Sequence, residues 1–192
     1  GRQNADRGRS YFTKILNQCS SVMQKIVTCP KPVIAEIDGV ATAAGCQLVA
    51  SCDLAVASET AQFCTPGVHI GLFCSTPMVA LSRNLANKHA MEMLLTGDMV
   101  SASRAAEMGL VNQVVPSADL CAGSMALAGK IAAKSSLTVA TGKRAFYQQK
   151  EMDLEAAYNY ASKIMVDNML ARDAKEGIAA FIEKRVPDWH DE

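Results

Sequence analysis

The sequence predicts an α/β fold in two parts, a sheet-bearing region over residues 1–116 and a helical region over residues 117–192. Three observations carry that prediction. Residues 33–57 read as strand, turn, small-residue helix and strand, the order of a crossover unit, which sets its strands parallel with the helix on one face. Nearly everything after Pro116 has helical spacing. The chain has 192 residues, of which 49% are hydrophobic, and a chain of that length buries roughly 70% of its unfolded surface, enough for a real core.

Taken in order, residues 1–9 are polar, and residues 11–28 place Phe12, Ile15, Leu16, Cys19, Val22, Met23, Ile26 and Val27 on one helical stripe. Pro30 and Pro32 end that helix. Val33-Ile34-Ala35-Glu36-Ile37 has the β-branched content of a short strand, closed by the turn pair Asp38-Gly39. Residues 40–52 are small enough for a helix to pack closely on a sheet, and residues 54–57 and 62–65 are further strands. Residues 66–74 form an irregular loop, residues 76–95 a helix, and Thr96-Gly97-Asp98 a break. Ser101 caps a short helix ended by Gly109, and residues 110–115 return as a strand. Four helices follow, over residues 117–134, 137–150, 154–170 and 172–185.

Charge narrows the range of partners. Nineteen Lys and Arg balance nineteen Asp and Glu, so no global field gathers phosphates, and neither nucleic acid nor a membrane is the expected partner. An anionic ligand has to be held locally. No run reaches the roughly 20 apolar residues of a membrane span, and the polar start does not read as a signal peptide. The seven cysteines (Cys19, Cys29, Cys46, Cys52, Cys64, Cys74, Cys121) are odd in number and never paired as C-x-x-C, which argues for free apolar-type thiols and against a zinc or other metal site.

The chemistry concentrates in PKPVIAEIDGVATAAGCQLVASCD, residues 30–53, and AQFCTPGVHIGLF, residues 61–73. A helix opening on Ala43-Ala44-Gly45 turns unpaired backbone N–H groups outward between side chains too small to block access. That is a seat for a developing oxyanion, where one donor is worth about 10²- to 10³-fold in rate. The same small residues equally permit tight packing of helix on sheet, and both readings stand on the residues alone.

These two runs, together with AMEMLLTGDMVSASRAAEMGLVNQVVP at residues 90–116 and ARDAKEGIAAFIEKR at residues 171–185, resemble the crotonase superfamily, the enoyl-CoA hydratase/isomerase family, over residues 30–189. The resemblance implies a crotonase-like (ClpP/crotonase) spiral of β-β-α units. It also implies a C-terminal helical region serving oligomerisation and the acyl-CoA lid. Leading strands, and with them a first oxyanion donor, would precede Gly1. The implied ligand is an acyl-CoA thioester of fatty acid metabolism, with coenzyme A present only as part of the substrate and no tightly bound cofactor. The implied assembly is a homotrimer or homohexamer, in the mitochondrial matrix of a eukaryote or the cytoplasm of a bacterium.

Residue by residue, the resemblance puts the second oxyanion donor at the N–H of Ala44, flanked by Ala43 and Gly45. The two positions where family hydratases carry glutamates match Gln47 and Gly67. A glutamine amide can hold water but cannot take a proton near neutral pH, and glycine offers no side chain. Losing a positioned acid or base costs about 10²- to 10⁴-fold, so the resemblance implies an enoyl-CoA hydratase/isomerase-like acyl-CoA protein with an unconventional or absent acid/base pair, and a catalytically silent acyl-CoA-binding or regulatory module is the alternative. His69 is a substitute candidate, because imidazole titrates near neutrality; a single structural hydrogen bond is its other reading. Phe181 and Lys184 match the aromatic and the lysine that approach the nucleotide part of CoA, and equally fit a helix with one apolar and one charged face.

Overall fold

The computed structural model describes residues 6–191. They fall into two compact units: residues up to 27 with 33–124, and residues 28–32 with 125 onward. In the first unit, Asp6 accepts the Gly8 and Ser10 N–H groups at the start of helix α1 (Arg9–Thr28). No residue of α1 is buried, and its predicted stripe stays open at Phe12, Ile15, Leu16 and Val22.

Strand β1 (Ile34–Ile37) follows the proline pair. The predicted helix over residues 40–52 is then corrected. Val40–Thr42 is strand β2, and helix α2 is the shorter Ala44–Ser51. Strands β3 (Leu54–Ser58) and β4 (Gln62–Cys64) come next, and Pro66–Ile70 coils into a 3-10 turn inside the expected loop. The single helix expected over residues 76–95 is two, α3 (Ser75–Asn84) and α4 (Asn87–Thr96). Asn84 sits at the break. Its amide donates to the carbonyls of Ala80 in its own helix, at 2.9 Å, and of Ala50 in α2, at 2.6 Å. A two-residue strand β5 (Val100–Ser101) was not expected; helix α5 (Ala102–Met108) was, with Ser101 Oγ accepting the Arg104 N–H and Gly109 in the left-handed region at φ 88°. Strand β6 (Gln113–Val115) occupies only the end of the predicted residues 110–115.

The first four strands alternate between two sheets, which is what makes the chain spiral, and β5 joins the sheet of β4 before β6 returns to the other. One sheet has the order β1-β3-β6, all parallel; the other has β2-β4-β5, with β2 and β4 parallel and β5 antiparallel to β4. The register sets Ala35 beside Ala55 and Thr42 beside Cys64. Between and around the sheets lie the fully buried Cys46, Phe63, Leu81, Met93 and Leu94, a contiguous apolar core. The sequence thus yields the expected β-β-α spiral.

Helix α6 (Leu120–Ala132) runs from the first unit into the second. The second unit continues as α7 (Ser136–Gln149), α8 (Leu154–Leu170) and α9 (Arg172–Glu183), with α7 packed on α8 and α8 on α9. Ser135 and Asp153 cap α7 and α8 through the Thr138 and Ala156 N–H groups. No residue of α7 or α8 is buried, and Leu154, Tyr158, Met165 and Leu170 are open to solvent.

Candidate functional site

Strands β2 and β4 are parallel neighbours, so the turns that leave their carboxyl ends emerge side by side. Open α/β sheets hold their ligands at such ends. The first turn is Ala43, which connects β2 directly to α2. Its N–H donates to the Cys64 carbonyl at 3.0 Å, and its own carbonyl accepts the Gln47 N–H at 3.0 Å. These two bonds hold Ala43 at φ 47° and ψ −110°, a conformation suited to glycine. An alanine there stores strain on the order of 1–3 kcal/mol, and such strain gathers at functional turns.

The strain has a geometric result. Among the described residues, the N–H groups of Ala44, Gly45 and Cys46 have no protein acceptor, and no side chain caps the helix. Ala44 is exposed and Gly45 half-buried. Gln47, one turn further into α2, is buried, and its Oε1 receives the weak thiol donor of Cys19 at 3.8 Å.

The second turn begins at Thr65, whose fully buried hydroxyl donates to the Met93 carbonyl at 2.8 Å. Beyond it the chain folds back on itself. The Leu72 N–H donates to the Gly67 carbonyl at 2.9 Å, and Gly71, at φ 73°, makes the reversal possible. A Cβ at position 67 would lie 2.8 Å from the Leu72 carbonyl oxygen and 2.9 Å from Cys74 Sγ. The space for any side chain at Gly67 is therefore filled by this chain's own backbone and thiol. His69 is exposed, and its Nε2 lies 2.9 Å from the Thr96 carbonyl. Because a carbonyl only accepts, that nitrogen carries the proton, and the ring ties the turn to the end of α4.

The thiols nearby are packing groups. Burial, with Cys64 and Cys74 adding to it, pushes the Cys46 thiol up to about 12, far from a nucleophile's range. All seven cysteines are free. Ala43, Ala44, Gly45, Gln47, Gly67 and His69 thus belong to two adjacent turns of the first unit. Phe181 and Lys184 belong to the second unit, at the end of α9, where Phe181 is 84% exposed and Lys184 takes φ 55°. Sequence reasoning missed Thr65 and Cys74, and the Thr-Pro-Gly run just after a three-residue strand was the available signal for the first.

A family model described as enoyl-CoA hydratase/isomerase matches residues 4–192. The chain belongs to the enoyl-CoA hydratase/isomerase family. Among its relatives, the mouse mitochondrial protein named enoyl-CoA hydratase domain-containing protein 3 is 52% identical over 95% of this chain, and the human one 51% identical over 97%. The chain spans 61% and 62% of those two proteins. An Escherichia coli 2,3-dehydroadipyl-CoA hydratase is 34% identical over 83% of the chain. Of solved structures, an enoyl-CoA hydratase from Mycobacterium smegmatis superposes with a TM-score of 0.93 and the human domain-containing protein 3 with 0.92; each is 51% identical, and the match covers 98% of this chain and 74% of each structure. The spiral of β-β-α units is therefore the crotonase fold.

Proposed function

We propose that the protein binds an acyl-CoA thioester of fatty acid metabolism, its carbonyl oxygen accepting the Ala44 N–H, and that it handles protons poorly or not at all. The observation that carries this reading is the contrast between the two neighbouring turns. The Ala43-Ala44-Gly45 turn carries amides with no acceptor among the described residues, in a backbone held under strain beside the exposed Ala44. At the two positions assigned to the family's glutamates, Gln47 is a buried amide, and Gly67 has neither a side chain nor space for one. His69 is held by its Nε2–H on the Thr96 carbonyl, which supports the reading of it as a residue that ties the turn to α4.

Coenzyme A enters as part of the substrate, with Phe181 and Lys184 as its contacts. The open apolar residues of α8 support assembly as a homotrimer or homohexamer. Among the described residues no helix is long and apolar enough to cross a membrane. The relatives named mitochondrial support the mitochondrial matrix for a eukaryotic source, and a bacterial source would place the protein in the cytoplasm.

The test pairs calorimetry of crotonyl-CoA binding with the loss of enoyl absorbance, run on the native protein and on Gln47→Glu. Binding with negligible hydration in both is expected. Brisk hydration by the native protein contradicts the reading, and large recovery in Gln47→Glu contradicts the role given to Gly67.

A further inference from the structure

Two carboxylates on one face of α9 hold the chain that follows it. Asp173, only 1% exposed, accepts the His190 N–H at 2.9 Å on one oxygen and the Asp191 N–H at 3.0 Å on the other. Ser135 also donates its hydroxyl to Asp173, while its oxygen receives the Thr138 N–H. Glu176, one turn along, takes both guanidinium nitrogens of Arg185 at 2.5 and 2.9 Å and the Asp188 N–H at 2.9 Å. Trp189 completes the attachment. Its indole donates to the Ala133 carbonyl at 2.9 Å, and its ring lies so close to Gly177 that a Cβ there would meet it at 3.1 Å. Asp191 in turn accepts the Ser136 N–H at 2.7 Å.

At the near end of this strap the helix stops in an unusual way. The Arg185 N–H bonds the Ala180 carbonyl at 3.0 Å and the Lys184 N–H bonds the Phe181 carbonyl at 3.3 Å, the paired bonds of a Schellman stop. The left-handed position of such a stop favours glycine, yet here it is Lys184, at φ 55° and ψ 38°. That backbone position places the Lys184 side chain at the very end of α9. Arg185 is occupied by Glu176 and Glu183, whereas Phe181 is 84% exposed beside Lys184.

We propose that residues 185–191 are a strap, fastened by Asp173 and Trp189, that positions Phe181 and Lys184 to receive the nucleotide half of coenzyme A. This rests on the acyl-CoA reading above and adds to it Asp173 and Trp189 as positioning residues. They act through the strap and touch no ligand.

The test uses two halves of the ligand: adenosine 3′,5′-bisphosphate, which has no acyl arm, and S-crotonyl-pantetheine, which has no nucleotide. In Asp173→Asn the amides of residues 188–191 should exchange faster, and Trp189, the chain's one tryptophan, should report its release by fluorescence. Bisphosphate affinity should fall about tenfold with pantetheine-thioester affinity unchanged. Trp189→Phe, which removes both the bond to Ala133 and the benzo-ring contact with Gly177, should shift bisphosphate affinity the same way by about threefold, and it carries the test if Asp173→Asn fails to fold. Lys184→Gly should lose bisphosphate affinity without freeing the strap. A freed strap with unchanged bisphosphate affinity overturns the proposal. So does a native protein that binds the pantetheine thioester and not the bisphosphate, a result that leaves the acyl-thioester reading standing. A native protein that binds neither half nor crotonyl-CoA removes that reading and the strap's role with it.

Discussion

The turn after β2 and the turn after β4 leave the same edge of one sheet from strands paired in register, and they are finished in opposite ways. The first is open. Ala43 is held at positive φ, and the amides that follow it have no acceptor among the described residues. The second is closed by the Leu72 to Gly67 bond, by the Leu72 carbonyl and Cys74 thiol around Gly67, and by His69 on the Thr96 carbonyl. On the proposed function, a shared scaffold allows the part that would recognise a carbonyl and the part that would move protons to be kept or lost separately. Recognition needs only backbone donors in a fixed geometry, which small residues preserve. Proton transfer needs particular side chains, and a folded-back loop can occupy their place.

The hardest blow to this contrast is to force a side chain into the closed turn. Gly67→Glu should destabilise the protein by about 2–3 kcal/mol through overpacking, lowering the midpoint of thermal unfolding by roughly 5–10 °C. It should bring no hydration activity. A stable Gly67→Glu protein that hydrates crotonyl-CoA would show the turn to be open after all. A smaller effect is expected at the open turn. Ala44→Pro, built on Ala43→Gly so that the strained residue can adjust, removes one N–H at the first helical position, where proline is tolerated. Crotonyl-CoA affinity measured by calorimetry should fall about tenfold relative to Ala43→Gly alone. The smallest change is Ala43→Gly itself. Relief of the positive φ outweighs the added freedom of the unfolded chain, so the thermal midpoint should rise by a few degrees, about 1 kcal/mol; a fall would mean that Ala43 is not strained.

Much of the scaffold could be read from residues alone. Val33 to Ile37 and residues 54–57 announced themselves by β-branched and apolar content, and Ser101 and Gly109 marked both ends of α5. Strand β2 escaped because three residues, Val40-Ala41-Thr42, carry little periodicity and run straight into helix-forming alanines. The break between α3 and α4 escaped because no glycine or proline marks it; a tertiary bond from Asn84 to Ala50 accompanies it. At the site, the small side chains of Ala43-Ala44-Gly45 were visible, whereas the positive φ of Ala43 was not, since alanine seldom adopts it. The closure around Gly67 depends on Leu72 and Cys74 returning to it, a fact of three-dimensional folding that no local pattern carries.

The most direct measurement is the carbonyl spectrum of a bound thioester. With crotonyl-CoA labelled with ¹³C at the thioester carbon, an amide cradle at Ala44 should move the carbon resonance downfield and lower the C=O stretching frequency on binding. Both shifts should shrink in the Ala43→Gly/Ala44→Pro protein. A bound thioester whose carbonyl is indistinguishable from that in water, or whose shifts survive the loss of the Ala44 N–H, would contradict the account.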